Sequence, residues 1–164
     1  MSVEAAQFKN ALRLWASGVT VVTAYSAAEG AKGMTATSFC SVSMEPAQVL
    51  VCLNQSTDTG AVVLESGKFA VNVLTASQQA ESNQFAGGAT QQQRFEATRW
   101  ELSEFGVPVL ADALVTLECQ LVQQVTAGTH WVMIGEIMNV ICRSGEPLLY
   151  FDGSYRELLA LNPA

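Results

Sequence analysis

From Gly33 to Leu53 the chain reads GMTATSFCSVSMEPAQVLVCL, and this stretch constrains the fold more than any other. It reads as two strands joined by a turn at Glu45-Pro46. The first, Met34 to Met44, sets four aliphatic or aromatic anchors among five hydroxyls, where a core strand would carry Val and Ile. That composition suits a strand lying against a flat polar ligand; it equally fits a strand face turned to solvent. The second, Gln48 to Leu53, is a short continuous apolar run and reads as a fully buried strand. Together they describe a β wall with one wet, hydroxyl-lined face.

The rest of the chain extends the same architecture. The β-branched run Gly18 to Tyr25 ends in the turn Ala27 to Gly30, which pairs it as a hairpin with the Gly33 strand. Further strands are predicted at Lys68 to Leu74, Val109 to Leu110, Leu114 to Val125, Trp131 to Arg143 and Leu148 to Phe151. Regular spacing with short turns indicates an antiparallel barrel or sandwich and argues against βαβ units. Three helices are expected. Val3 to Ala16 is amphipathic, with Ser2 as N-cap and Phe8, Leu12 and Trp15 on a packing face. A short helix follows Asn54 to Thr57, capped by Ser56 or Thr57 and ending near Gly67. Thr75 to Phe85 is a polar helix stopped by Gly87-Gly88. Ala89 to Trp100 reads as a Gln-rich connection holding Arg94 and Arg99.

At 164 residues the chain has room for one domain, 1–164, with a real core. Its 49% hydrophobic and 14% charged content leaves little to cover a monomer, so a homodimer is expected. A net charge of −7 repels nucleic acid and anionic membrane surfaces, so phosphate-bearing ligands would have to be met by local groups. Cys40, Cys52, Cys119 and Cys142 are far apart, without a C-x-x-C pair, and read as buried free thiols. A single histidine argues against a zinc site. No apolar core follows a basic N-terminus, and no run approaches about 18 apolar residues; a cytoplasmic protein is expected. Neither G-x-G-x-x-G nor G-x-S-x-G is present, which speaks against a Rossmann dinucleotide fold and a hydrolytic triad.

Several motifs jointly resemble one family. G-M-T-A-x-S-F-x-S-V-S followed by x-P-x-x-V-L-V-C, with GVTVVTA at Gly18 to Ala24, FAVNVL at Phe69 to Leu74, QFAG at Gln84 to Gly87, RF at Arg94-Phe95, GVPVL at Gly106 to Leu110 and PLLYFDGSY at Pro147 to Tyr155, is similar to the short-chain flavin reductases. These are the reductase components of two-component flavin monooxygenases. The resemblance runs from about Phe8 to Arg156. Gly128-Thr129-His130, where many members carry Gly-Asp-His, is similar to the branch serving 4-hydroxyphenylacetate 3-monooxygenase.

The resemblance implies a mainly β protein, an FMN-binding split β-barrel with Greek-key connections and a few peripheral α-helices. It implies an NAD(P)H:flavin oxidoreductase that reduces FMN or FAD by hydride transfer and supplies reduced flavin to a partner monooxygenase. NADH is the expected donor, with NADPH left open because no acidic residue of the Rossmann type reads the ribose. Carried over residue by residue, the expected cofactor-binding positions are Thr35, Ala36, Thr37 and Ser38 on the central strand, and Asn54, Gln55, Ser56 and Thr57 in the following loop. Phe85, Ala86, Arg94 and Tyr155 complete the flavin set, with Arg94 near the phosphate. His130 is assigned to the nicotinamide side; the Thr129 departure puts any charge partnership with that histidine in question. No acid–base residue is required, because the two cofactors carry the reacting atoms. Two other readings fit the residues: a non-catalytic split-barrel flavin module for electron transfer or sensing, and a dimeric β-barrel serving protein interaction.

Overall fold

The computed structural model describes residues 2–159. Helix α1 (Ala5–Arg13) leads through the two-residue strand β1 (Ser17–Gly18) into the hairpin β2 (Thr20–Ser26) and β3 (Gly30–Ala36). A second hairpin, β4 (Phe39–Met44) and β5 (Ala47–Asn54), is followed by α2 (Asp58–Ser66) and β6 (Lys68–Val73). A 3₁₀ turn at Ala76–Gln78, α3 (Gln79–Ala86) and α4 (Gln91–Glu96) precede the ribbon β7 (Trp100–Leu102) and β8 (Pro108–Leu110). The long hairpin β9 (Val115–Ala127) and β10 (His130–Cys142) then leads to the ribbon β11 (Leu149–Phe151) and β12 (Ser154–Arg156).

Seven strands form one antiparallel sheet in the order β3-β2-β6-β9-β10-β5-β4. Laid flat, its edges β3 and β4 would stand about 29 Å apart, six gaps of about 4.8 Å. Only Thr37 and Ser38 separate Ala36 from Phe39, a link that spans at most about 11 Å. The sheet must therefore curl until its edges meet, making a barrel split between β3 and β4 with Thr37 and Ser38 at the seam. Met34 to Met44, read from sequence as one strand, is thus two strands on opposite edges.

The barrel interior holds Val22, Val49, Val51, Leu53, Phe69, Val71, Cys119 and Met133, with Val62 and Val63 of α2 in the same cluster. Outside, α3 and α4 bring Phe85 and Phe95 against Val21 of β2 and Leu110, while Val107 and Val109 cover Ala70 of β6. Both faces of β2 and β6 are therefore covered, and Phe69 to Asn72 are all buried instead of alternating as expected. β5 departs in the other direction. Val49, Val51 and Leu53 face the core while Leu50 and Cys52 are only half-buried, because their face opens onto a cleft.

Other expectations need correction. α1 starts at Ala5 with Glu4 at its N-cap and no side-chain cap bond, so Ser2 is not the cap, and none of its residues is buried. Of the two capping candidates Ser56 and Thr57, it is Thr57 that caps α2 as expected, accepting from the Gly60 N–H at 3.3 Å. The Gln-rich connection contains α4, closed by a Thr90/Gln93 capping box. The ribbons' strands β7 and β12 were not foreseen. All four cysteines are free and lie in strands, but Cys40 and Cys142 are exposed.

Candidate functional site

The seam places the hydroxyl-rich segment at the mouth of two adjoining hollows. The first, about 300 Å³, is lined by Thr35, Thr37, Ala86 and Tyr155 together with Ser82 and Asn83 of α3. None of its lining residues is charged. Thr35 donates its hydroxyl to the Ser82 carbonyl at 2.7 Å, and the Tyr155 hydroxyl lies 2.8 Å from both Ser82 Oγ and Asn83 Oδ1. Tyr155 is held edge-on to Tyr150, centroids 5.4 Å apart. Hydroxyls already tied to α3 give this hollow rigid polar walls.

The second hollow, about 560 Å³, shares Thr37 and Tyr150 with the first and runs between α1 and the open face of β5. The Ser38 hydroxyl donates to the Cys52 carbonyl at 2.8 Å, and the Ser38 carbonyl accepts from the Cys52 N–H at 3.2 Å. Burial pushes the Cys52 thiol above its ordinary value, so it stands there as a neutral side chain.

Two residues beyond Cys52, about 7 Å along the strand, β5 reaches Asn54, which pairs with His130 across the sheet. This pairing assembles the third group. Asn54 Oδ1 accepts from the Ser56 N–H and hydroxyl at 2.9 and 2.8 Å, and the Thr57 hydroxyl donates to the Asn54 carbonyl at 2.7 Å. Gln55 donates its N–H to the Thr129 carbonyl at 3.0 Å and its amide to Gly128 and His130 carbonyls at 3.2 and 3.3 Å. The loop before α2 is thereby fastened to the turn before His130. Thr129 Oγ1 lies 2.9 Å from His130 Nδ1, so a neutral hydroxyl orients the imidazole in this chain.

Thr35, Thr37, Ala86 and Tyr155 thus share one hollow, Thr37 and Ser38 line the next, and Asn54 to Thr57 gather with His130 further along β5, outside the lining of both. Three expected positions serve differently. Ala36 is buried, and its carbonyl accepts the Thr20 hydroxyl at 2.6 Å. The Phe85 ring is core, edge-on to Phe95 at 5.2 Å. Arg94 is turned to backbone carbonyls, Gly33 at 2.8 Å and Ala89 at 3.1 Å. Ala36 and Phe85 can offer a ligand only their backbone. Sequence reasoning missed Ser82, Asn83 and Tyr150; the first two sit on a polar helix whose inner face only the fold reveals. Among the described residues no three His, Cys, Asp or Glu side chains cluster as metal ligands.

Fold and site together define a split β-barrel with an uncharged hollow and an adjoining cleft at its seam. The chain belongs to the flavin reductase-like family, whose domain model matches residues 12–159. It is 38% identical over 156 residues to the FMN reductase (NADH) RutF of Variovorax paradoxus strain S110, covering 94% of this chain and 86% of that one. Among solved structures it resembles the NADH:FAD oxidoreductase SgcE6 of Streptomyces globisporus C-1027 in complex with NAD and FAD fragments, with TM-score 0.89 and 30% identity over 96% and 94% of the two chains. It also resembles BorF, the flavin reductase component of a bacterial two-component tryptophan halogenase, with TM-score 0.87 and 30% identity over 94% and 98% of the two chains.

Proposed function

We propose that this chain is an NADH-dependent flavin reductase that reduces FMN or FAD and hands the reduced flavin to a separate oxygenase. The observation that carries the reading is the uncharged hollow with fixed hydroxyls at the barrel seam, which shares Thr37 and Tyr150 with a larger cleft. The two volumes fall in the range of small-molecule sites, and apolar walls with fixed hydroxyls match an aromatic ring edged with carbonyl and N–H groups. Flavin and nicotinamide exchange a hydride between their own rings, so the protein's task is placement. Thr35, Thr37 and Tyr155 would hold the flavin ring, while the α2 N-terminus behind Ser56 and Thr57 offers N–H groups to a phosphate. His130, opposite Asn54 on the neighbouring strand, would orient the nicotinamide.

Mixing protein, NADH and FMN or FAD and following loss of nicotinamide absorbance tests this. Oxidation well above the uncatalysed background is expected, and background rates with every flavin would overturn it. The 4-hydroxyphenylacetate 3-monooxygenase branch is the finer proposal, supported by the Gly128-Thr129-His130 triplet. The reductase should then sustain turnover of that oxygenase component in a coupled assay. The same reading takes 1–164 as one domain and the protein as a cytoplasmic homodimer. Exposed Phe8, Met138 and Val140 support the shared surface, and no helix among the described residues is long and apolar enough to cross a membrane.

A further inference from the structure

The cleft beside the seam has a wall that the flavin-reductase reading does not use. Lys9, Leu12 and Arg13 of α1 line it with Trp15, two residues past the helix end, facing Ser38, Cys40, Leu50 and Cys52. α1 buries none of its own residues, and Trp15 keeps 75% of its surface exposed. Yet the end of the helix is fastened. Arg13 Nε and Nη2 donate to Asp152 Oδ1 and O at 3.1 and 3.2 Å, and the Asp152 N–H returns to the Arg13 carbonyl at 2.8 Å. Gly153 completes the fit: its φ is +79°, and a Cβ there would stand 2.9 Å from Arg13 Nη2. The lock fixes the helix end against the turn after β11, the strand whose Tyr150 is shared by both hollows.

Charge points to what this wall receives. The chain has eight Lys and Arg against fifteen acidic residues, and two of those eight, one turn apart on α1, border this cleft. Among the described residues the ion pairs engage Arg13, Lys32 and Arg99, and none engages Lys9. A polyphosphate approaching a protein of net charge −7 needs such a local cation, and an exposed indole beside it offers a face for a base to stack on.

We propose that Lys9 and Trp15 form a site for an adenosine diphosphate moiety, the adenine against the indole and the diphosphate at Lys9, with Arg13 holding the helix in place. The moiety is common to NADH and FAD and missing from FMN and from reduced nicotinamide mononucleotide. The assignment rests on the nucleotide-binding reading above, since it extends a ring in the seam hollow across Thr37 and Tyr150 into the cleft.

The test separates the two sources and stands apart from turnover. ADP-ribose binding to the flavin-free protein, measured by calorimetry, should weaken by roughly tenfold in Lys9→Gln and in Trp15→Ala, as expected for one charge-assisted or stacking contact. Trp15→Phe, which keeps a ring, should retain most of the affinity. Steady-state kinetics then assign the source. A fall in the ratio of kcat/KM for NADH to that for the reduced mononucleotide marks the nicotinamide donor, and a fall in FAD affinity relative to FMN marks the flavin. Either result supports the site. ADP-ribose that fails to bind, or binds all three variants as it binds the parent, overturns it, including when Trp15→Ala changes only the dimer on sizing. Should the protein bind ADP-ribose through these residues and reduce no flavin, the reductase reading falls and this site stands. Flavin reduction with no preference for either dinucleotide has the opposite meaning.

Discussion

Phe85 closes directly over the backbone of Gly33. A Cβ on Gly33 would stand 2.6 Å from Phe85 Cε1 and 3.3 Å from Phe95 Cζ. The same glycine accepts Arg94 Nη1 at its carbonyl and donates its N–H to Gln91 Oε1 at 2.9 Å. α3 and α4 are thus fitted to β3 two residues before Thr35, and the fit sets where the hydroxyl wall stands. Gly33→Ala should therefore cost stability by overpacking, about 1–3 kcal/mol, and weaken flavin binding as β3 shifts. Urea unfolding and flavin titration on one preparation would check both. A mutant with parental stability and weakened flavin binding would show that the glycine serves the ligand directly.

Asn72 is the polar centre of the fold. Fully buried, it donates to the Val21 carbonyl and Thr23 Oγ1, both at 3.1 Å, and accepts from the Leu110 N–H at 3.0 Å and the Thr116 hydroxyl at 3.2 Å. Thr23 in turn donates to the Pro108 carbonyl. The ribbon β7–β8 is thereby bonded to the barrel through the side chains of Asn72 and Thr23. Asn72→Leu keeps the volume and leaves the Leu110 N–H and its neighbours without partners, each orphan costing about 1–3 kcal/mol. A loss of about 3 kcal/mol in urea with an unchanged m-value is expected, with early hydrogen exchange at the Leu110 amide.

How much of this was legible in the sequence depends on what each residue had to signal. The barrel strands were readable because β-branched runs between turn residues leave few other options, and the hairpin of β2 and β3 followed from Ala27 to Gly30. The break at Thr37 and Ser38 was not, since small hydroxyl residues continue a strand pattern as well as they end one. It took the sheet order to show that β3 and β4 are opposite edges. α4 was hidden because a helix of six residues is too short to show a period; its Thr90-x-x-Gln93 capping box was the only mark. In the site, the motifs led to Thr35 and Thr37, which line the seam hollow, and to His130, which pairs with Asn54. The Phe85 ring lies in the core; a motif fixes where the backbone runs and says little about which way a ring points. Ser82 and Asn83 became visible only when Tyr155 was seen bonded to them.

The thiols should divide by burial. Burial pushes Cys119 up to about 12, with the neighbouring Glu118 adding to the shift, from an ordinary 9.0. Cys40 and Cys142 are exposed. In the folded protein an alkylating reagent should label Cys40 and Cys142 and spare Cys119, as mass spectrometry of the digested protein would show. The same shift bears on stability. Below 9.0 both states hold the Cys119 proton and it contributes no pH dependence; between 9.0 and about 12 the unfolded chain loses the proton that the folded chain keeps. The unfolded state then binds fewer protons, so stability falls as pH rises through that window. Cys119→Ala should flatten this alkaline limb of the denaturation midpoint. An unaltered limb would place its cause elsewhere.

His130 begins β10 opposite Asn54, with Thr129 Oγ1 at 2.9 Å from Nδ1 and Gln55 bonded to its carbonyl. The backbone contact is independent of the side chain, so removing the imidazole leaves the loop fastened. His130→Ala should then raise the KM for NADH or slow hydride transfer while flavin affinity changes little, because Thr35, Thr37 and Tyr155 line the seam hollow and His130 does not. Loss of one positioning contact is worth about 1–3 kcal/mol in the transition state, roughly a 5- to 150-fold fall in kcat/KM. Thr129→Val, which keeps the ring and removes the hydroxyl that orients it, should give a smaller fall in the same direction. Unchanged NADH kinetics in both variants, with a lowered Tm, would mean that the Thr129–His130 pair only anchors the strand end.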